Sequence, residues 1–205
     1  MTALLLLGPV VAGLALTLLV SCWRQRRRRT AWGQLAPVLG LELSPTRLCL
    51  GGTLEGHAVE LFTAARGAIQ HRYEVTVLRV DLAGLLPSSV LLEREGLGAK
   101  VLRLFGRSGE EVGEPLFDAA FRVEGLTPAA EAVLRKRVVQ EALHSALQRF
   151  ERLKVEEGRL QLETYGVLTS ADDVQRLVQG GLGVVRAMRT GRAPGTPGGE
   201  ARRVP

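Results

Sequence analysis

ALLLLGPVVAGLALTLLV at residues 3–20, followed at once by SCWRQRRRR at residues 21–29, decides how the rest of this chain is read. At a helical rise of ~1.5 Å per residue these 18 residues span about 27 Å, close to the ~30 Å hydrocarbon thickness of a bilayer. Lipid offers the backbone no hydrogen-bond partners, so such a run crosses as a helix that pairs its own N–H and C=O groups. The anchoring side chains are then Ala3, Leu4, Leu5, Leu6, Leu7, Val10, Val11, Leu14, Leu16, Leu18, Leu19 and Val20, with Gly8 and Pro9 weakening only the first turns. No Lys or Arg precedes the run, whereas Arg24, Arg26, Arg27, Arg28 and Arg29 follow it. That asymmetry places the C-terminal side in the cytoplasm. Trp23 and Trp32 flank the arginines, and an indole suits the headgroup region, although Trp32 fits equally as the first residue of a domain core.

Two other fates compete for this segment. A cleaved secretory signal needs a positive n-region, which is missing here. Leu19-Val20-Ser21-Cys22 has the form of a lipobox, in which Cys22 would carry the lipid; the arginines behind it would then have to be translocated. The arginine cluster itself has two readings: a topology determinant, or a surface for anionic lipid headgroups at ~1 kcal/mol per basic residue. Gly8 and Ala12, or Gly13 and Thr17, have the small-xxx-small spacing that lets membrane helices approach.

Outside this segment the charge is balanced. The sequence pI of about 10.1 suggests nucleic acid, yet residues 30–190 hold 19 Lys+Arg against 20 Asp+Glu. A nucleic-acid reader carries its basic surface on the domain, with aromatics for stacking where it binds single strands. Aromatics are 4% of this chain, so no nucleic-acid partner is expected. Cys22 and Cys49 have no evident disulfide partner, which fits a reducing compartment. The end, GRAPGTPGGEARRVP at 191–205, has no apolar face to bury and is expected to be disordered.

Taken in order, the body reads as an α+β domain. Trp32, Leu35, Ala36, Val38 and Leu39 make a short helical stripe that ends near Gly40, a connector that docks on the domain. The period then changes to two: Leu48, Leu50, Val59 and Leu61 alternate with polar residues around a Glu55-Gly56 turn. Ile69 to Val80 continues as a strand, Leu82 to Pro87 as a turn, and Val90 to Leu92 as a short strand. A strand at Val101 to Leu104 precedes an exposed, mobile loop from Gly106 to Pro115. Phe117, Ala119, Phe121 and Val123 alternate with Asp118, Ala120, Arg122 and Glu124, which predicts a strand ending at Gly125. Thr127 as N-cap and Pro128 at the first position open an amphipathic helix that runs to Phe150, with a break near Arg137. A hairpin follows around Glu156-Glu157-Gly158-Arg159, then a helix from Ser170 with Val174, Leu177, Val178, Leu182, Val185 and Met188 on one face. Gly180, Gly181 and Gly183 either fray that helix or let it pack closely. The expected order is a transmembrane helix at 1–23, a basic juxtamembrane connector at 24–40, an α+β domain at 41–190 with an antiparallel sheet packed against two helices, and the tail at 191–205.

This order of anchor, basic stop, Trp-x-x-Leu-Ala-x-x-Leu-Gly-Leu connector (Trp32 to Leu41), Gly52/Gly56 hairpin, Leu-Leu-Glu-Arg-Glu (Leu91 to Glu95) and Phe-Asp-x-x-Phe-x-Val-x-Gly (Phe117 to Gly125) resembles uncharacterised single-pass membrane proteins of high-GC bacteria. The resemblance implies an architecture and no catalytic residue; with the anchor and its arginines, the expected location is the bacterial inner membrane, single-pass, with the C-terminal domain cytoplasmic.

The search for chemistry is mostly negative. The chain has no CxxC, HExxH, G-x-S-x-G or Walker-type loop, and His57, His71 and His144 have no ligand-type residue at metal spacing. No metal or cofactor is therefore expected. Cys49, His57 and Asp118 are the one trio that could supply a nucleophile, a base and an orienting carboxylate. Against it, Cys49 alternates as an ordinary strand residue, and Asp118 fits a turn-bonding carboxylate. The sequence thus reads first as a membrane-anchored interaction or scaffold module with an unknown protein partner. An enzyme or small-ligand binder at Cys49, His57 and Asp118 is the second reading, and a Cys22 lipoprotein the third.

Overall fold

The computed structural model describes residues 2–94 and 110–191. The first element, α1 (Thr2–Leu39), is one 38-residue helix. It ends because Gly40 takes φ +68°, so that the Gly40 N–H reaches the Pro37 carbonyl and the Leu41 N–H reaches that of Ala36. This double closure satisfies carbonyls that the last turn would otherwise leave open. Among the described residues no helix is long and apolar enough to cross a membrane. The side chains of Ala3 to Ala15, Thr17 and Leu18, most of the expected span, lie outside the described residues.

The domain is α+β, as its alternating and 3.6-residue patterns indicate. Eight strands form one antiparallel sheet in the order β1-β2-β3-β4-β8-β7-β5-β6. They are β1 (Glu42–Leu43), β2 (Cys49–Leu54), β3 (His57–Arg66), β4 (Tyr73–Asp81), β5 (Leu91–Arg94), β6 (Phe121–Glu124), β7 (Arg152–Glu156) and β8 (Arg159–Tyr165). Both expected hairpins form around two-residue loops, Glu55-Gly56 between β2 and β3 and Glu157-Gly158 between β7 and β8. All four loop residues have positive φ, the twist that suits a two-residue connection between right-twisted strands.

One face of the sheet is covered by the end of α1 and by α2 (Pro115–Ala120), α3 (Pro128–Leu134), α4 (Arg137–Arg149) and α5 (Ala171–Gly191). Leu61, Leu78, Val80, Leu92, Leu153, Leu160 and Leu162 of the sheet meet Leu134, Leu143, Val174, Leu177, Leu182 and Met188 in a single core. The expected helix from Thr127 is present and broken where expected: the Thr127 hydroxyl accepts from the Ala130 N–H at 3.2 Å, and Lys136 is extended between α3 and α4. In α5 two of the three glycines serve packing. A Cβ on Gly181 would stand 2.6 Å from Leu78 Cδ2 and one on Gly180 2.5 Å from Phe150 Cζ, whereas Gly183 faces open space.

Three expectations need correction. Phe117 to Ala120 is helix α2, and only Phe121–Glu124 is strand. Pro115 at the first helical position and the Asp118 carboxylate, which accepts from the N–H groups of Val112, Gly113 and Glu114, start a helix that the local alternation concealed. The spacing of Phe117 and Phe121 suits a helical turn, and their rings stack with centroids 4.8 Å apart. Ile69–His71 is a 3-10 turn, so β4 begins only at Tyr73. The described end of the loop expected to be exposed, residues 110–115, is exposed except at Val112, which is fully buried, and the Glu110 N–H donates to the Val123 carbonyl at 2.8 Å. The helical layer has more members than two, the end of α1 included. The strand expected at Val101 to Leu104, and the tail after Gly191, lie outside the described residues.

Candidate functional site

Cys49, His57 and Asp118 do not form a site. Cys49 pairs with Phe62 and His57 with Leu54, five positions further along the same hairpin, or about 17 Å at ~3.4 Å per residue. The two also face opposite ways, since strand residues of unlike parity point to opposite sides of the sheet. His57 is buried, its Nδ1 against the Asp81 carbonyl at 2.8 Å and its Nε2 against the Arg189 guanidinium at 2.6 Å. A guanidinium only donates, so Nε2 accepts and Nδ1–H donates to Asp81. Arg189 also reaches the Glu55 carbonyl, and Arg186 grips the Glu55 carboxylate through Nε and NH2, at 2.9 and 2.6 Å. The side-chain hydrogen bond from Arg186 holds the Glu55 carboxyl below its ordinary range. This cluster fastens the β2–β3 turn to the end of α5. Asp118 is the carboxylate that starts α2. Among the described residues no group of three or more His, Cys, Asp or Glu side chains could hold a metal ion.

The geometry concentrates instead where α1 meets the domain. Trp32 is fully buried, and its indole N–H donates to the Leu168 carbonyl at 2.7 Å. Leu35 and Ala36 are buried with it, so the connector is the first piece of the core. Three residues earlier, Arg29 donates to the Ser44 carbonyl at 2.8 Å and to that of Pro45. Arg28 grips Glu74 with two bonds of 2.8 and 2.6 Å, and that hydrogen bond holds the Glu74 carboxyl below its ordinary range. Arg28 and Arg29 therefore face the domain. Arg24 and Arg26 are exposed, and Arg27 lies 5.1 Å over the exposed ring of Trp23. Cys22 is exposed on the same helix. Leu16, Leu19 and Val20 above it are also exposed.

Beside this joint is a cleft of about 570 Å³ between α1, the segment 46–49 and the sheet face turned away from the helices. Its wall includes Gln25, Arg29, Arg47, Cys49, Glu60, Phe62 and Arg79. Burial raises the Cys49 thiol above its ordinary range, with the Glu60 charge adding to the effect. The cleft opens onto a polar rung that crosses all eight strands: Glu42, Gly51, Glu60, Arg79, Gln161, Lys154, Glu93 and Arg122 are successive cross-strand partners. Charges of opposite sign meet at Glu60–Arg79, Lys154–Glu93 and Glu93–Arg122, a pattern that suits neighbouring strands. One rung further along, Glu163 is almost fully buried and receives Arg66 at 3.0 and 2.7 Å.

The segments 25–29, 46–49, 60–62 and 79 come together only through the sheet register and the seating of α1. The single local signal in the sequence was the density of arginine at 24–29. No family model matches this chain, and no curated protein or solved structure matches it either, so the reading of the joint rests on its own geometry.

Proposed function

We propose that this chain is a single-pass membrane protein of the bacterial inner membrane, whose α+β domain stands on the cytoplasmic side as an interaction or scaffold module. The observation that carries this reading is the build of α1. From Thr2 to Trp23 the helix rises about 33 Å at ~1.5 Å per residue, enough for a hydrocarbon core. Leu16, Leu19, Val20 and Trp23 are exposed. The arginines follow, and the last two turns are locked into the core through Trp32, Leu35 and Ala36. Exposed apolar side chains on a helix that runs into a basic collar are what a stop-transfer anchor needs. The polar rung on the open sheet face supports an interaction role, since it offers a charged surface and the trio sought for catalysis is dispersed.

The test is a reporter fused after Thr190 in a bacterial host, active on one side of the membrane only, together with fractionation. Cytoplasmic activity in the membrane fraction is expected. Periplasmic activity overturns the orientation, and recovery in the soluble fraction overturns the anchor.

A further inference from the structure

The cleft at the foot of α1 has the composition of an anion site. Three guanidiniums, those of Arg29, Arg47 and Arg79, stand around it against the single carboxylate of Glu60, and Gln25 adds a neutral amide donor. Two of the three are already held in place. Arg29 is fixed by the carbonyls of Ser44 and Pro45. Arg79 lies 5.0 Å over the Phe62 ring, pairs with the Glu60 carboxylate at 3.4 Å through one nitrogen and reaches Gln161 at 3.5 Å through another. Pre-positioned guanidiniums suit phosphate oxygens, because the planar fork donates in parallel and loses little freedom on binding. Arg47 is exposed at the rim. Phe62 gives the wall an apolar part, and the volume exceeds what a lone phosphate fills.

Depth supplies the second argument. Arg29 lies about 8 Å beyond Arg24 along the helix axis at ~1.5 Å per residue. A bilayer of ~30 Å hydrocarbon and ~40–45 Å total has about 5–8 Å of headgroup on each side. An anchor that leaves the hydrocarbon at Arg24 brings the cleft to headgroup level.

Resting on the anchor reading above, we propose that this cleft binds the phosphate of an anionic phospholipid, with Arg29, Arg47 and Arg79 donating to its oxygens and Phe62 against the glycerol. The test uses the full chain with Cys22→Ser in neutral detergent, where Cys49 in the wall is the remaining thiol. Its alkylation rate is followed with dihexanoyl-phosphatidylglycerol, dihexanoyl-phosphatidylcholine or inorganic phosphate as probe. Phosphatidylglycerol is expected to slow alkylation well beyond the other two. Arg47→Gln, an exposed change that leaves the core alone, is expected to raise the half-protecting concentration about fivefold. Protection by inorganic phosphate equal to that by phosphatidylglycerol overturns the lipid source. Lack of protection, or protection indifferent to Arg47→Gln, overturns the site. Flotation of the same protein with vesicles separates the two readings: a chain that floats without Cys49 protection removes the headgroup site alone, and one that is protected without floating removes the anchor alone.

Discussion

Trp32 shows how much one side chain at the joint carries. It fills core volume and satisfies the Leu168 carbonyl, so Trp32→Ala is expected to cost about 3–5 kcal/mol. Trp32→Phe keeps most of the volume but strands the carbonyl, for about 1–3 kcal/mol. Urea denaturation of the full chain in detergent measures both, and a near-neutral Trp32→Ala would remove α1 from the core. Arg66 and Glu163 make a second residue-scale case. Burial pushes the Glu163 carboxyl up, but hydrogen bonds from Arg66 and Gln161 and the Arg66 charge more than offset this, and its pKa lies below the ordinary value. A carboxyl with a depressed folded pKa contributes stability above its unfolded pKa of about 4.3, and loses it as pH falls through the folded pKa. Stability should therefore decline on acidification below about pH 4, less steeply in Glu163→Gln. Arg66→Ala leaves a buried carboxylate unpaired; with Arg66 a third exposed, the expected cost is about 1–3 kcal/mol. Denaturation midpoints across pH 3–7 check the set, and parallel pH curves for wild type and Glu163→Gln would sink it. None of this pairing was legible in advance, because Arg66 and Glu163 stand 97 residues apart and meet only through the β3–β4 and β4–β8 registers together.

Among elements, α5 offers the cleanest contrast. Its glycines are equivalent by helix propensity and unlike by environment. Gly183→Ala gains up to ~1 kcal/mol because nothing lies within 4 Å of the new methyl. Gly181→Ala drives that methyl toward Leu78, Val80 and Leu162, an overpacking of about 1–3 kcal/mol that cancels or outweighs the same gain. The order of melting temperatures should be Gly183→Ala, wild type, Gly181→Ala, and calorimetry on the full chain reads it. Legibility follows the same line between local and distant causes. Hairpins at Glu55-Gly56 and Glu157-Gly158, the Thr127 cap and the break at Lys136 are set by neighbouring residues, and they were readable. Helix α2 was misread because Phe117, Ala119 and Phe121, alternating with Asp118 and Ala120, satisfy a two-residue period over so short a span. What separates the readings is Asp118 closing on three backbone N–H groups up to six residues upstream. Strand order β4-β8-β7-β5 was beyond local pattern, since the β4–β8 and β5–β7 pairings that set it join segments distant in sequence.

On the scale of the whole molecule, the joint between α1 and the domain sets how its two parts are placed. Between Leu14 and Trp32 the helix contains no Gly or Pro, the usual causes of a kink. Bidentate Arg28–Glu74 contact is half open to solvent and contributes at most ~1 kcal/mol, so its role is alignment. Spin labels on the two native cysteines, Cys22 on the shaft and Cys49 in the cleft wall, should report one narrow distance distribution. Two glycines inserted after Gln25 should broaden it, and a broad distribution in the wild type would show a swivel at the arginines. A helix without a hinge also keeps phase. Each residue advances the chain by about 100° and 1.5 Å, so one alanine inserted after Gln25 would leave both parts folded yet turn the sheet through more than a quarter circle about the shaft. Four inserted residues bring the azimuth back to within about 40° while moving the domain some 6 Å outward. The residue count between Cys22 and Trp32 therefore works as a gear setting, fixing which side of the sheet looks along any given direction.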